Sequence, residues 1–163
     1  MFVAPFRTAS VFVLWGLCLS WALCEAPKKK PKDKSKLSAI EQEIVNRVNA
    51  ERKKEDLPPL KLNPLLTKAA REHSANMARQ GKMDHVLDGK NPLDRVRAAG
   101  YRPRGVGENI GEGAPSAAKM MAWWMNSKLH RGNILNKKYK EIGVGVVRDE
   151  RGRTYYTQVF GVR

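Results

Sequence analysis

Cysteine is almost missing from this 163-residue chain: there are two, Cys18 and Cys24, and both fall within the first 24 residues. A domain that starts after them has no disulfide to staple it and no thiol nucleophile, so packing must hold it together. Long apolar runs are missing as well; the run from Val11 to Leu23 is too short to cross a bilayer comfortably. Ser127 has no Gly-x-Ser-x-Gly setting, which argues against a serine hydrolase elbow. There is no His-Glu-x-x-His spacing to place two metal ligands on one helix face. No recognisable nucleic-acid motif accompanies the basic residues. Acids are scarce, with 16 Asp and Glu against 31 Lys and Arg, for a formal net charge of +15.

What is present first reads as an export signal. Arg7 followed by the apolar run suits a secretory signal peptide over residues 1–24, cleaved near Cys24. Lipidation at Cys24 ranks below it because Leu23 is larger than the small residue such a site wants, and an uncleaved N-terminal anchor ranks below that. The expected location is therefore secreted, extracellular or in the cell envelope. Residues 25–37 have no apolar period and a dense positive charge, so they read as a basic disordered linker. Residues 27–36 of that linker offer contact with an anionic surface, although a solvated spacer is the simpler reading. Of the net charge of +15, Arg7 carries one unit and residues 25–37 carry four, leaving +10 on residues 38–163. A domain this basic favours polyanionic neighbours such as wall polymers, nucleic acid or lipid head groups, without choosing among them.

Residues 38–163 are one domain's worth of chain. Ser38 and Glu41 form a capping-box pattern ahead of Ile40, Ile44, Val45 and Val48, which share a helix face. Pro58 and Pro59 make an apolar connector, and Asn63-Pro64 starts a second helix with the stripe Leu65, Leu66, Ala69, Ala70, His73 and Met77, ended by Gly81. Asn91-Pro92 starts a short helix through Leu93 and Val96, and Ser116 caps another with Met120, Met121 and Trp124 inward. Ile142, Val144 and Val146 alternate with Gly143 and Gly145, where something must approach closely. The turn Asp149 to Gly152 then returns the chain as a strand, making a C-terminal hairpin. Helices first and a hairpin last predict α+β.

Chemistry gathers at three places. Gly105 to Gly113 carries Glu108 and Asn109 inside a glycine run, read as a thin loop-like stretch that is an expensive place to hold a mere filler carboxylate. His85 sits in a loop between Asp84 and Asp88, where sites are commonly built. Ser127, His130, Arg131 and Asn133 crowd the end of an apolar helix, where a plain meeting with the helix dipole competes with a functional role. His73, on a buried stripe, reads as a core or cleft-edge histidine with a satisfied hydrogen bond ahead of a ligand.

These residues resemble a known family. Asn49-Ala50-Glu51-Arg52, Leu60-Lys61-Leu62-Asn63, His85, Gly107-Glu108-Asn109-Ile110, Trp124-Met125-Asn126-Ser127 leading to His130-Arg131-Gly132-Asn133, Ile142-Gly143-Val144-Gly145, and Tyr155-Tyr156-Thr157-Gln158 occur in the order and spacing of the CAP superfamily (cysteine-rich secretory, antigen 5 and pathogenesis-related proteins). The match is closest to its cysteine-free bacterial SCP-like branch. The resemblance implies a three-layer α-β-α sandwich with a cavity, lined here by His85, Glu108, Asn109, Ser127, His130, Arg131, Tyr155 and Gln158. Eukaryotic members of the family hold two histidines and two glutamates there, which in some bind zinc or another divalent cation. Position by position, His85 matches the first histidine and Glu108 the first glutamate, while the second glutamate falls on Ser127 and the second histidine on Tyr155. His130 then supplies an imidazole.

Two readings of the site follow. His85, Glu108 and His130 form a three-ligand set for a divalent metal, or Glu108 accepts hydrogen bonds from both histidines with no metal. The expected function is a binding or interaction module for an extracellular ligand, a lipid, wall polymer or protein, acting as a monomer. The alternative is an extracellular hydrolase, a protease or nuclease, with Glu108 or His130 as general base.

Overall fold

Ser38 starts the fold. Its hydroxyl accepts from the Glu41 amide at 3.4 Å while Glu41 Oε2 accepts from the Ser38 amide at 2.7 Å, and helix α1 follows over Ala39–Lys54. The computed structural model describes residues 1–2 and 36–163, so the expected signal peptide and nearly all of the linker lie outside the described residues. The connector after α1 is held by Asn49, whose amide bonds both the carbonyl (3.1 Å) and the amide (2.8 Å) of Leu60. A two-residue strand β1, Lys61–Leu62, leads into α2, Pro64–Gln80, capped by Asn63 and closed by Gly81 in the left-handed region at φ 62°.

Helix α3, Pro92–Ala98, carries its own capping box from Asn91 and Asp94. Strand β2, Gly105–Glu112, helices α4, Ala117–Asn126, and α5, Lys128–Ile134, and the hairpin of β3, Glu141–Arg148, and β4, Thr154–Val162, complete the order. The sheet runs β1-β3-β4-β2, with β1 parallel to β3 and the other pairs antiparallel.

Alternation along the strands sorts the core into two layers. Ile142, Val144, Tyr156 and Phe160 pack with Ile44, Val48, Met120 and Trp124 of α1 and α4. Val159 and Val106 pack on the other face with Leu66, Ala69 and Ala70 of α2 and Val96 of α3. This is the α-β-α sandwich. Gly143 and Gly145 face α2, where a Cβ would overlap the backbone of Leu66, Thr67 and Ala70, so the closely approaching partner is that helix.

The glycine stretch is a strand, contrary to the loop-like reading. Gly105, Gly107 and Gly111 all point to one side, where a Cβ would press on Val162, Tyr139 and Met120 respectively. Side chains from neighbouring elements occupy the space that glycine leaves. As the last strand of the sheet, β2 has a free edge, and two of its carbonyls are met there by side chains. Asn133 Nδ2 donates to Glu108 O at 3.1 Å and Trp124 Nε1 to Ile110 O at 2.9 Å.

Candidate functional site

Being in a strand decides which residues Glu108 can meet. Val106 and Ile110, two positions either side, pack with residues of α2, so Glu108 faces α2 and Asn109 faces α5. Glu108 is buried, with its side chain 2 % exposed. Its Oε1 accepts from His85 Nδ1 at 2.8 Å and its Oε2 from Arg95 Nη2 at 2.6 Å. Arg95, in α3, also donates to the carbonyls of His85 (2.9 Å) and Lys90 (2.7 Å), so one guanidinium neutralises the carboxylate and holds the histidine loop around it.

His73 of α2 completes the group, with Nε2 at 3.8 Å from Glu108 Oε1. The expectation of a satisfied core histidine is half met. The ring is buried, yet among the described residues neither nitrogen has a hydrogen-bond partner; the Asp84 backbone draws near it without reaching hydrogen-bonding geometry. Burial in this setting pushes the His73 pKa down to about 4, with Arg95 and His85 adding to the fall and Glu108 opposing it. His85, half exposed, moves the other way because its hydrogen bond to Glu108 stabilises the imidazolium.

The second expected partner of Glu108 is placed elsewhere. Among the described residues the His130 ring makes no hydrogen bond to the carboxylate; α5 lies along the free edge of β2, where Asn133 meets the Glu108 carbonyl, and the carboxylate's second partner is Arg95. Burial and the neighbouring His85 charge hold the His130 pKa below the usual histidine value, so the two imidazoles are within electrostatic reach of each other. On the α5 face, Asn109 Nδ2 donates to His130 O and to Gln158 Oε1, both at 3.0 Å, while Asn133 Nδ2 donates to Asn109 Oδ1 at 2.9 Å. Asn109 and Gln158 are fully buried, so they brace the helix end against the strand.

Ser127 joins α4 to α5, and its hydroxyl makes no cap hydrogen bond. Arg131 is exposed and pairs with Glu55 at 3.2 Å. Tyr155 is buried with Met77, Leu87 and Ile110 and pairs with Glu112, about 13 Å along β2 from Glu108. It therefore does not take a histidine's place beside the carboxylate.

The arrangement does not fit a metal on His85, Glu108 and His130. Both carboxylate oxygens are already bonded, one of them to a permanent cation, and among the described residues no three His, Cys, Asp or Glu side chains are grouped to hold an ion. Arg95 is the site residue that sequence reasoning passed over, and His73 is one that it read as core. An arginine one turn into a short helix reads as solvated, and the available signal was that a buried carboxylate needs a partner.

The opposed histidine shifts predict a stability maximum near pH 6.5. His73 binds its proton at 6.5 unfolded and about 4 folded, so its contribution is complete above 6.5 and falls as the pH drops through that window, a loss on the order of 3 kcal/mol. His85 contributes fully below 6.5, and that contribution fades as the pH rises through its raised folded value. Urea midpoints between pH 4.5 and 8.5 should show both limbs. In His73→Gln the acid limb should shrink to the smaller part that the lowered His130 pKa leaves; a limb as steep as in the wild type would refute the assignment.

Comparison with known proteins gives the same architecture. The model of the cysteine-rich secretory protein (CAP) family matches residues 45–160. Protein YkwD of Bacillus subtilis (strain 168) is 38% identical over 128 residues, 78% of this chain and 49% of its own. Membrane protein YlbC of the same organism is 31% identical over 121 residues, 74% of this chain and 34% of its own. Among solved structures, an extracellular protein containing a SCP domain from Bacillus anthracis str. Ames superposes with a TM-score of 0.70 at 28% identity, covering 75% of this chain and 40% of that one. A cysteine-rich secretory protein from Staphylococcus aureus does so at 0.63 and 25%, covering 83% and 42%. This chain thus spans half or less of the length of each of these relatives. With the motif order, the sheet packed by helices on both faces and the family match in agreement, the chain belongs to the cysteine-rich secretory protein (CAP) family.

Proposed function

We propose that the domain is an extracellular binding module that receives a ligand on the outward face of His85. The observation that carries this reading is that Glu108 is fully engaged inside the protein, by His85 and Arg95, while the His85 ring is 48% exposed. The buried ion cluster orients one imidazole and raises its pKa, and the remaining ring nitrogen is left to the ligand. Val86 and Leu129, next in sequence to His85 and His130, are 50% and 83% exposed. A ligand with an anionic group beside an apolar segment suits this surface. The extracellular setting is supported by the bacterial relatives, one described as extracellular.

A hydrolase reading has one observation in its favour, because a carboxylate-held imidazole is also how a general base is oriented. Against it, among the described residues no hydroxyl is hydrogen-bonded to His85 or His130, and Glu108 is too buried and too fully bonded to act on substrate itself.

Titration of the full chain with short-chain phosphatidylglycerol micelles and with an acidic peptide tests the proposal. At least one should bind saturably at pH 6, about tenfold more weakly in His85→Ala and more weakly again at pH 8.5. Binding unchanged in His85→Ala would defeat it, as would saturable zinc binding that depends on His85. Peptide, ester or nucleic-acid turnover lost in His85→Ala would replace it with the hydrolase.

A further inference from the structure

A second surface shares no residue with the histidine site. Between the end of α2 and the β3–β4 turn lies a groove of about 740 Å³, and four of the residues lining it are arginines: Arg79, Arg148, Arg151 and Arg153. By strand register it begins about 13 Å along β2 from Glu108, beside Tyr155.

The groove's own lining carries four guanidiniums against the two carboxylates of Asp149 and Glu150. Arg79 pairs with Asp88 at 3.2 Å and Arg153 with Glu112 at 3.4 Å. Arg148 uses Nε on the Gly152 carbonyl at 2.8 Å. Among the described residues its terminal nitrogens and the whole Arg151 guanidinium have no carboxylate partner. Of the two acids in the lining, Asp149 turns Oδ1 to the Arg153 amide at 2.7 Å and so closes the turn. Glu150 is exposed. The α2 terminus would repel an anion through its last carbonyls, but those of Met77 and Ala78 are taken by the amides of Lys82 and Gly81.

We propose that this groove is a binding site for an extracellular polymer carrying phosphodiester groups. Guanidinium forks match phosphate oxygens in geometry and are weakly hydrated. Arginines on both walls suit successive charges along a chain better than one small anion. Single-stranded nucleic acid is the poorer fit, because such grooves stack bases on exposed rings and the aromatic residue here, Tyr155, is 1% exposed.

The test is binding of poly(glycerol phosphate) to the full chain at 50 and 200 mM salt. Arg148→Ala/Arg151→Ala should weaken binding at least tenfold and reduce the dependence of log affinity on log salt by about two. Lys137→Ala/Lys138→Ala removes the same charge from exposed positions outside the groove, and should change affinity less than twofold. Equal losses in the two double variants would reduce the groove to general basicity and overturn the proposal. So would unchanged affinity in the arginine variant, or tighter binding of polyglutamate or single-stranded DNA. The His85→Ala variant should bind this polymer like the wild type, which separates failure of this site from failure of the histidine site.

Discussion

Alanine at Gly143 is expected to destabilise the protein by about 3 kcal/mol or more, at the upper end for overpacking a core. A methyl group there has no flexible side chain to push aside; it meets the Leu66 carbonyl and the Thr67 amide of α2. Either the helix lifts off the sheet or the strand bends away from it. Relief by either route disturbs the layer that carries His73 and closes over Glu108. Gly132→Ala is the matched control, since nothing lies within 4 Å of its Cβ position and it sits inside α5. There alanine should be neutral or stabilising by up to about 1 kcal/mol. Urea unfolding of both variants gives the comparison, and a Gly143→Ala protein within about 1 kcal/mol of wild type would mean that α2 does not rest on this strand as described.

Arg95→Met is expected to cost about 3–5 kcal/mol, the range for breaking a buried ion pair by removing one partner. The Arg95 side chain is 9% exposed and that of Glu108 2%, so the stranded carboxylate has little water to turn to. The loop of His85 would also lose the hydrogen bonds to the carbonyls of His85 and Lys90. Adding Glu108→Gln should restore part of the loss, because the buried charge goes with its partner. A double-mutant cycle in urea measures this coupling. If the two losses simply add, Arg95 and Glu108 act independently and the cluster is not a unit.

Much of this architecture was legible because local chemistry and tertiary structure agree. Ser38, Asn63, Asn91 and Ser116 each cap the helix that their side chains suit. The glycines of β3 were recognisable because they alternate with Ile142 and Val144. The same alternation was present in Gly105, Gly107 and Gly111, but a glycine-rich segment has poor strand propensity. What makes it a strand is its pairing with β4, residue for residue from Gly105 with Val162 to Glu112 with Tyr155. That one difference propagated into the site. In a loop, Glu108 can turn toward either histidine; in a strand it is committed to the α2 face. His85 was therefore identified as its partner correctly, His130 was not, and Arg95 had no local periodicity to reveal it.

The covered edge of β2 has a consequence for assembly. Asn133 and Trp124 occupy carbonyls that another chain would need in order to add a strand there. The opposite edge is the short strand Lys61–Leu62, set between Pro59 and Pro64, and beyond it the rest of β3, where the Val146 amide donates to Glu41 Oε1 at 3.4 Å. Both edges are thus blunted against the addition of a strand. Polymers and neighbours are then met by side chains on the faces and ends of the domain more than by strand pairing.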